Sequence, residues 1–319
     1  MPLVDSTYRA PWWLRNGHLA TIIPSAFRKI PVAYERERIG TPDNDFLDLD
    51  WCATTGNDKV VIVLHGLEGH SYRHYVAGMV NYFARQGWDA VAFNSRSCSG
   101  TMNRQLRLYS HADAPDLAVA VAHVVQKGYK RIGLVGFSMG GAIILNYLSK
   151  LTSQVPAAVV AAAAVSAPVD VGASACALAS RQNSFYRRRF LKKMIARVKR
   201  KAAQFPGLLD MTDIDKITTF DEYDRRFTAP LQGYRNPAEF YKDASSLHHL
   251  SNIQVPTLLL IALNDPFMPP ACYPYEQAQA SEHLFLETPR HGGHVGFTAT
   301  SLADSWAEGR VYRFIDVYC

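Results

Sequence analysis

Six short apolar runs, separated by stretches with helical spacing, constrain the fold of this 319-residue chain more than any other feature. The runs do not alternate strictly with polar residues: VVIVLH (60–65), DAVAFN (89–94), RIGLVGF (131–137), AAVVAAAAVSA (157–167), TLLLIAL (257–263) and HLFLET (283–288). Such runs are typical of strands that are buried on both faces. Helical spacing is found at 71–86, 112–127, 139–150 and 299–316. The alternation predicts an α/β fold with a mostly parallel central sheet flanked by helices.

The alternation of strands and helices is interrupted in two places. Upstream, the segments VAYERERIG and FLDLDWC flank the turn sequence TPDND, which predicts an antiparallel hairpin at the sheet edge. Further on, about 80 residues separate two strands that a simple crossover joins with far fewer. We therefore predict a core of residues 1–167 and 251–319, and a helical cap insertion at 168–250.

Positive charge is concentrated in one part of the insertion. The chain has a formal net charge of +6, but residues 181–201 contain ten basic and no acidic side chains, so the rest of the chain carries −4. Apolar residues in this segment fall on one stripe, which predicts an amphipathic helix with its Arg and Lys residues on the remaining surface. The alternatives are a solvated helix face and peripheral membrane contact through 185–203 with anionic lipid headgroups. We do not expect nucleic acid as a partner.

Apolar length and cysteine spacing argue against several classes of protein. The longest apolar stretch, 155–169, is too short to span a bilayer, and the N-terminus lacks the apolar region of a signal peptide. We therefore expect a cytoplasmic location, with the membrane surface as the peripheral alternative. The five cysteines are scattered and form no C-x-x-C pair, which predicts free thiols and no structural zinc site.

The sequence GFSMG (136–140) has the form G-x-S-x-G, directly after a predicted strand and before a predicted helix. This context is the one in which such a motif forms a nucleophile elbow, a strained turn that exposes the serine. Gly136 and Gly140 allow neighbouring segments to approach closely. Ser138 is therefore the predicted nucleophile.

A serine nucleophile needs a base, and the base needs a carboxylate that orients it. Asp265 follows one predicted strand, and the run RHGGHVGF (290–297) follows the next. All of these positions lie at the carboxyl edge of the sheet. Asp265 has the alternative role of turning the chain before Pro266, and either His291 or His294 has the spacing to serve as the base. A metal site is not indicated, because no H-E-x-x-H motif or Cys/His cluster supplies further ligands.

The run HGLEGH (65–70) follows the first parallel strand. It matches neither of the common zinc-protease spacings. The peptide N–H of Leu67 is instead predicted to form an oxyanion hole together with that of Met139. His65 is then expected to make structural hydrogen bonds. Cys98 is an alternative nucleophile, but a buried thiol is the expected state because no base motif accompanies it.

The chain resembles the YheT-like α/β-hydrolases, a family related to ABHD-type lipid hydrolases. The resemblance is carried by APWWLRNGHLATIIPSAFR (10–28), DFLDLDW (45–51), LHGLEGHSYRHY (64–75), NSRSCSGTMNRQLRLYSH (94–111), GFSMGG, NDPF and GGHVGF. It implies the α/β-hydrolase fold, and it implies that His294, and not His291, is the base. One position departs from the family pattern, since Ser97 stands where glycine is usual.

These observations predict a serine hydrolase that cleaves carboxylic esters of short, medium-chain or lipid acyl groups through an acyl-enzyme, without a cofactor. Acyl transfer by the same triad and a non-catalytic binding module are the alternatives. Apolar residues of the insertion are predicted to receive the acyl chain: Phe185, Phe190, Leu191, Met194, Phe205, Leu208 and Leu209. Trp12 and Trp13 are expected to pack over the sheet edge or near the cap, with insertion at an interface as the alternative.

Overall fold

Nine strands form one sheet in residues 3–53, 56–303 and 305–319, the part of the chain that this computed structural model describes. The strands are β1 (Leu3–Val4), β2 (Glu35–Gly40), β3 (Phe46–Cys52), β4 (Lys59–Leu64), β5 (Asp89–Asn94), β6 (Arg131–Phe137), β7 (Val159–Val165), β8 (Thr257–Leu260) and β9 (Leu284–Glu287). Their spatial order is β1-β9-β8-β7-β6-β4-β5-β3-β2. Only the pairs β2/β3 and β3/β5 are antiparallel among these strands. The mostly parallel sheet and its edge hairpin are thus confirmed, whereas β1 was not predicted.

Eleven α-helices accompany the sheet within the same residues. They are α1 (Gly17–Phe27), α2 (His74–Arg85), α3 (Ala114–Gln126), α4 (Met139–Lys150), α5 (Val171–Ala179), α6 (Ser184–Gln204), α7 (Phe220–Tyr223), α8 (Ala229–Leu231), α9 (Pro237–Ala244), α10 (Tyr275–Ala280) and α11 (Trp306–Asp316). A π-helical turn, Asp224–Thr228, joins α7 to α8. The predicted helices correspond to α2, α3, α4 and α11, but α11 begins later than predicted.

Helices cover both faces of the central strands, and this explains why the strand sequences are apolar without alternation. On β4, Val60, Ile62 and Leu64 belong to a cluster of buried side chains that includes residues of α3 and α4. Val61 and Val63 belong to a second cluster, which includes residues of α2 and α11. Each central strand therefore contributes to two cores.

Helices α5 to α9 lie between β7 and β8, where the sequence predicts a cap insertion. Part of this segment has a small core of its own, against which Leu67, Met102 and Leu108 pack from outside the segment. Its buried members within the segment are Leu191, Met194, Ile195, Val198, Ile214, Ile217, Phe220, Tyr223 and Phe227. The division of the chain at 168 and 250 stays a prediction.

Two basic residues of α6 point inward. Lys201 is fully buried, and its Nζ donates to the carbonyl oxygens of Asn103 at 2.8 Å and Gln105 at 2.7 Å. The side chain of Arg197 is only 13% exposed and forms an ion pair of 2.8 Å with Glu68. The prediction of a wholly solvent-facing basic surface was wrong for these two residues, because they tie α6 to loops that are distant in sequence.

Membrane contact through 185–203 stays a prediction. The cations of α6 that remain exposed are Arg188, Arg189, Lys192, Lys199 and Arg200. Within the described ranges, none of the helices combines the length and the apolar character that crossing a membrane requires.

The N-terminal segment differs from the expectation at one tryptophan. Trp12 lies in a 3₁₀ turn, Trp12–Leu14, and its side chain is 80% exposed. The residue that is buried in this turn is Leu14. The prediction that both tryptophans pack against the protein was therefore wrong for Trp12.

Candidate active site

Ser138 lies at the predicted strand-to-helix turn, after β6 and directly before α4. Its backbone has φ of 54° and ψ of −120°. A non-glycine residue in such a conformation is strained by about 1–3 kcal/mol, and the surrounding structure must hold it there. Its N–H donates to the carbonyl oxygen of Val165 at 2.8 Å, which anchors the turn to β7. The side chain is therefore presented at the carboxyl edge of the sheet.

The two glycines of the motif are required by close backbone contacts. A Cβ atom added to Gly136 would lie 2.4 Å from the carbonyl oxygen of Gly140. One added to Gly140 would lie 2.7 Å from the carbonyl oxygens of Leu64 and His65. Both distances are far below a normal contact, so only glycine allows β4, β6 and α4 to meet at this point.

The structure brings Ser138, Asp265 and His294 into one hydrogen-bonded chain. His294 Nε2 lies 2.9 Å from Ser138 Oγ, and His294 Nδ1 lies 2.8 Å from Asp265 Oδ2. The other carboxylate oxygen of Asp265 accepts from the N–H of Phe267 at 2.9 Å. Asp265 is only 5% exposed. This geometry allows His294 to accept the serine proton while Asp265 fixes the imidazole tautomer.

The other two candidate histidines do not join this chain. His291 has no hydrogen bond to Ser138 or Asp265, and its Nδ1 is buried without a partner among the described residues. His65 Nδ1 lies 2.7 Å from the carbonyl oxygen of Gly66, and its Nε2 accepts from the N–H of Ser95 at 3.2 Å. Burial lowers the pKa of His65 to about 4, so the ring is neutral.

Metal ligation has no structural support in the part of the chain described. No group of three or more His, Cys, Asp or Glu side chains in these ranges is arranged to hold a metal ion. Cys98 is buried, and burial raises the pKa of its thiol to about 12. A thiol with this pKa is not ionised near neutral pH, which argues against Cys98 as a nucleophile.

The two predicted oxyanion donors lie on different segments, since Leu67 belongs to the loop after β4 and Met139 is the first residue of α4. Among the described residues, no acceptor bonds to the N–H of Leu67 or to that of Met139. A Cβ on Gly66 would lie 3.1 Å from Ser138 Cβ, so the loop passes beside the nucleophile. Glu68, the residue after Leu67, has φ of 55°. Two N–H groups without an acceptor among the described residues thus lie near Ser138, and their role as an oxyanion hole stays a prediction.

The beginning of α1 supports the acid and base loops, a role that the sequence did not reveal. The N–H of His294 donates to Thr21 Oγ1 at 2.8 Å. A Cβ on Gly17 would lie 2.0 Å from the carbonyl oxygen of Asn264, and one on Gly293 would lie 2.5 Å from the carbonyl oxygen of Gly17. The start of α1 is thus packed against the residues that adjoin Asp265 and His294.

Gly17→Ala is expected to destabilise the protein by about 2–3 kcal/mol, because the new methyl group overpacks the backbone of the acid loop. Gly40→Ala is the matched control, since a Cβ at Gly40 meets nothing within 4 Å. Urea unfolding should separate the two variants, with Gly40→Ala within about 0.5 kcal/mol of the wild type. Equal unfolding midpoints for both variants would contradict the packing of α1 against this loop.

Two cavities meet at Ser138 and His294. Both open at the surface, and they are similar in volume when the space open to solvent is included, about 1000 Å³ for the first and about 950 Å³ for the second. The names larger and smaller cavity refer to these two volumes. Both are lined by Leu67, Ser138, Phe190, Phe267 and His294. The larger cavity is mainly apolar, with further contributions from Leu108, Val171, Leu178, Met194, Phe227 and Phe240.

The cavity lining agrees only in part with the residues chosen from the sequence. Phe190 and Met194 line the larger cavity, and Phe185 lines the smaller one. Leu208 is 64% exposed, and Leu191 is buried in the small core of α6, so neither was correctly assigned to the acyl site. Within the insertion, further apolar and aromatic side chains that the sequence did not single out come from α5, from α9 or from the chain between α6 and α9: Val171, Leu178, Phe220, Tyr223, Phe227, Leu231 and Phe240.

A serine on the strand-to-helix turn after β6, with an acid after β8 and a histidine after β9, defines the α/β-hydrolase class. This chain belongs to the α/β-hydrolase fold family, whose model matches residues 59–298. The predicted resemblance to YheT-like proteins is confirmed. YheT of Escherichia coli (strain K12) is 31% identical over 95% of this chain and 91% of its own length.

Two further proteins extend the comparison. Phospholipase ABHD3 of Mus musculus is 32% identical over 93% of this chain and 74% of its own length. The esterase Pf2001 of Pyrococcus furiosus superposes with a TM-score of 0.59, covering 90% of this chain and 91% of its own, at 19% identity. At that identity the likeness concerns the fold alone.

Proposed function

We propose that this protein is a serine hydrolase that cleaves carboxylic esters through an acyl-enzyme. The observation on which the proposal depends is the hydrogen-bonded chain from Ser138 Oγ to His294 Nε2, 2.9 Å, and from His294 Nδ1 to Asp265 Oδ2, 2.8 Å. The strained backbone of Ser138, with φ of 54°, supports its assignment as the nucleophile. A relative named as a phospholipase supports an ester as the substrate class.

In the first half of the reaction, His294 Nε2 accepts the proton of Ser138 as Oγ attacks the ester carbonyl carbon. The negative charge that develops on the carbonyl oxygen is stabilised by the N–H groups of Leu67 and Met139, and each such donor contributes about 10²–10³-fold in rate. Protonated His294 then gives its proton to the leaving alcohol. Asp265 holds Nδ1 protonated and stabilises the charged imidazole throughout this half.

In the second half, water enters and loses a proton to His294 as it attacks the acyl-enzyme. The same oxyanion donors act again, and the departing Ser138 Oγ recovers the proton as the carboxylic acid is released. Acyl transfer to another alcohol would use the same groups, with that alcohol in the place of water.

The larger cavity receives the acyl chain. Its lining is mostly aliphatic and aromatic, and its two buried acids, Glu68 and Asp224, are already bonded to protein donors. Asp224 accepts from Thr228 Oγ1 at 2.5 Å and from Tyr241 at 2.6 Å, and burial raises the pKa of its carboxyl to about 6. Burying an acyl chain here gains about 0.8 kcal/mol per methylene group. The segment 168–250 forms a cap over Ser138 and sets the length of chain that fits.

Incubation of the protein with a fluorophosphonate is expected to label Ser138, and peptide mapping should place the label at this residue alone. Turnover of p-nitrophenyl esters of increasing acyl length should be abolished by the label, and release of free acid distinguishes hydrolysis from acyl transfer. Ser97 and Ser166 are internal controls, since both also have positive φ, 63° and 51°, but neither bonds to His294. A protein that neither labels nor turns over any of these esters would contradict the proposal and favour a binding module on this fold.

A further inference from the structure

The smaller cavity differs from the larger one in the charge of its lining. It is bounded by α1, by the start of α2 and by the first turns of α6, and it contains Ser138 and His294. Arg73 and Arg189 both line it. Lys193 lies one turn beyond Arg189 on α6 and is half-buried. Three cations from two elements therefore lie at or beside the same opening.

These three cations lack carboxylate partners among the described residues. Arg189 and Lys193 have no side-chain hydrogen bond or ion pair in the ranges that the structure describes, and Arg73 donates only to the carbonyl oxygen of Glu68, at 3.2 Å. The carboxylate of Glu68 is taken by Arg197 at 2.8 Å and by Tyr109 at 2.7 Å. The positive charge at the smaller cavity is therefore not neutralised within the described chain.

The cations also act on each other. Burial, followed by the charges of Arg73 and Arg189, lowers the pKa of Lys193. Burial, followed by the charges of Arg73 and Lys193, lowers the pKa of His70. A cluster of like charges beside a low-dielectric cavity is unfavourable on its own and becomes favourable when an anion binds between its members.

The two cavities differ in whether their cations are paired with carboxylates, and this difference favours the smaller cavity for an anion. Arg197 lines the larger cavity, but its guanidinium is satisfied by Glu68 and by the carbonyl oxygen of Ser97. The larger cavity therefore offers hydrocarbon contacts and a neutralised cation. The smaller cavity offers two guanidinium groups without a carboxylate partner among the described residues, and such groups bind carboxylate or phosphate oxygens in a bidentate manner.

We propose that the smaller cavity binds an anionic group, a carboxylate or a phosphate, on the alcohol portion of the substrate, through Arg73 and Arg189 with support from Lys193. The inference rests on the proposed ester hydrolysis at Ser138. The acyl chain occupies the larger cavity, the ester bond lies at Ser138, and the charged end of the alcohol lies between α2 and α6. The preferred substrates are thus anionic amphiphiles, and Arg73 and Arg189 determine specificity.

Three esters with the same acyl chain test the assignment: monooctanoylglycerol, octanoylglycerol phosphate and octanoylglycerate. For the wild type at low salt, kcat/KM for the anionic esters is expected to exceed that for the neutral ester by about tenfold or more. Arg189→Gln and Arg73→Gln should each lower the ratio of anionic to neutral kcat/KM by about 10- to 100-fold. A preference for the phosphate ester alone identifies phosphate as the ligand, and an equal preference for both identifies a general anion site.

Arg188→Gln is the matched control, because Arg188 is adjacent to Arg189 and equally exposed but lines neither cavity. It should leave the ratio unchanged. Thermal unfolding of each variant shows whether the fold is retained. The inference is overturned if the wild type prefers the neutral ester, or if the ratio is the same in wild type, Arg189→Gln and Arg73→Gln.

Hydrolysis of the neutral ester separates this inference from the proposed function. If the wild type cleaves monooctanoylglycerol but shows no charge preference, the proposed function stands and the anion site is wrong. If the wild type cleaves none of the esters, calorimetric titration with glycerol phosphate tests independently of catalysis whether an anion binds at this site. Binding that is lost in Arg189→Gln supports the site, and absence of binding overturns it.

Discussion

His294→Ala is expected to lower kcat for ester hydrolysis by about 10⁶-fold, the size of loss that follows removal of one member of a serine triad. The reason is geometric, since His294 Nε2 is the group within 2.9 Å of Ser138 Oγ and no described side chain replaces it. KM should change little, because the ring is not predicted to bind the ground-state ester. Single-turnover and steady-state assays with p-nitrophenyl octanoate measure the loss.

His291→Ala provides the control for this variant. It removes a histidine three residues away that has no hydrogen bond to Ser138 or Asp265, so kcat should remain within about twofold of the wild type. Comparable losses in the two variants would mean that the loop as a whole, and not the imidazole of His294, is needed. A fully active His294→Ala protein would refute the assignment of the base.

The fold was predictable because its strands have sequences that only a doubly covered sheet explains. The apolar runs at 60–65 and 131–137 correspond to β4 and β6, and their residues pack alternately into the two cores. β1 was missed because a strand of two residues, Leu3–Val4, has no pattern. The start of α11 was also misplaced, because Ala299, Leu302 and Ala303 continue the apolar helical spacing upstream of Trp306.

The residues of the candidate site and their proximity were predictable from local motifs, but the contacts that support them were not. Ser138, Asp265 and His294 each follow a strand, so topology alone places them together. The contribution of Gly17 depends on a contact with Asn264, a residue that is distant in sequence. Contacts of this kind leave no spacing pattern in a single sequence, and only the folded chain reveals them.

The basic helix illustrates the same limit for charge. Composition shows that ten cations lie in 181–201 but cannot show which of them are paired. The structure separates them into three groups: Arg197 and Lys201 are turned inward, Arg189 and Lys193 face the smaller cavity or lie beside it, and others face outward. The basic surface that the helical spacing of α6 predicts therefore consists of three groups of cations, which are paired inside the protein, placed at the smaller cavity or exposed to solvent.

Arg197→Met is expected to destabilise the protein by about 3–5 kcal/mol, the usual cost of breaking a buried ion pair by removing one partner. The partner, Glu68, has a side chain that is only 4% exposed, and it would retain Tyr109 as its remaining side-chain donor. Urea unfolding, monitored by tryptophan fluorescence, measures the change in the free energy of unfolding. Lys192→Met on the same helix is the control, since Lys192 is exposed, and it should change stability by no more than about 0.5 kcal/mol.

The same variant should also slow catalysis, because Glu68 directly follows Leu67, whose N–H is the proposed oxyanion donor. Loss of the ion pair releases the loop after β4, so kcat should fall while KM changes less. The double variant Glu68→Gln with Arg197→Met should recover part of the lost stability, because it no longer buries an unpaired charge. Glu68→Gln alone keeps the protein testable if Arg197→Met does not fold. If both single variants keep the stability and the kcat of the wild type, α6 does not position the loop after β4. The segment 168–250 then contributes to the reaction only through the side chains that line the two cavities.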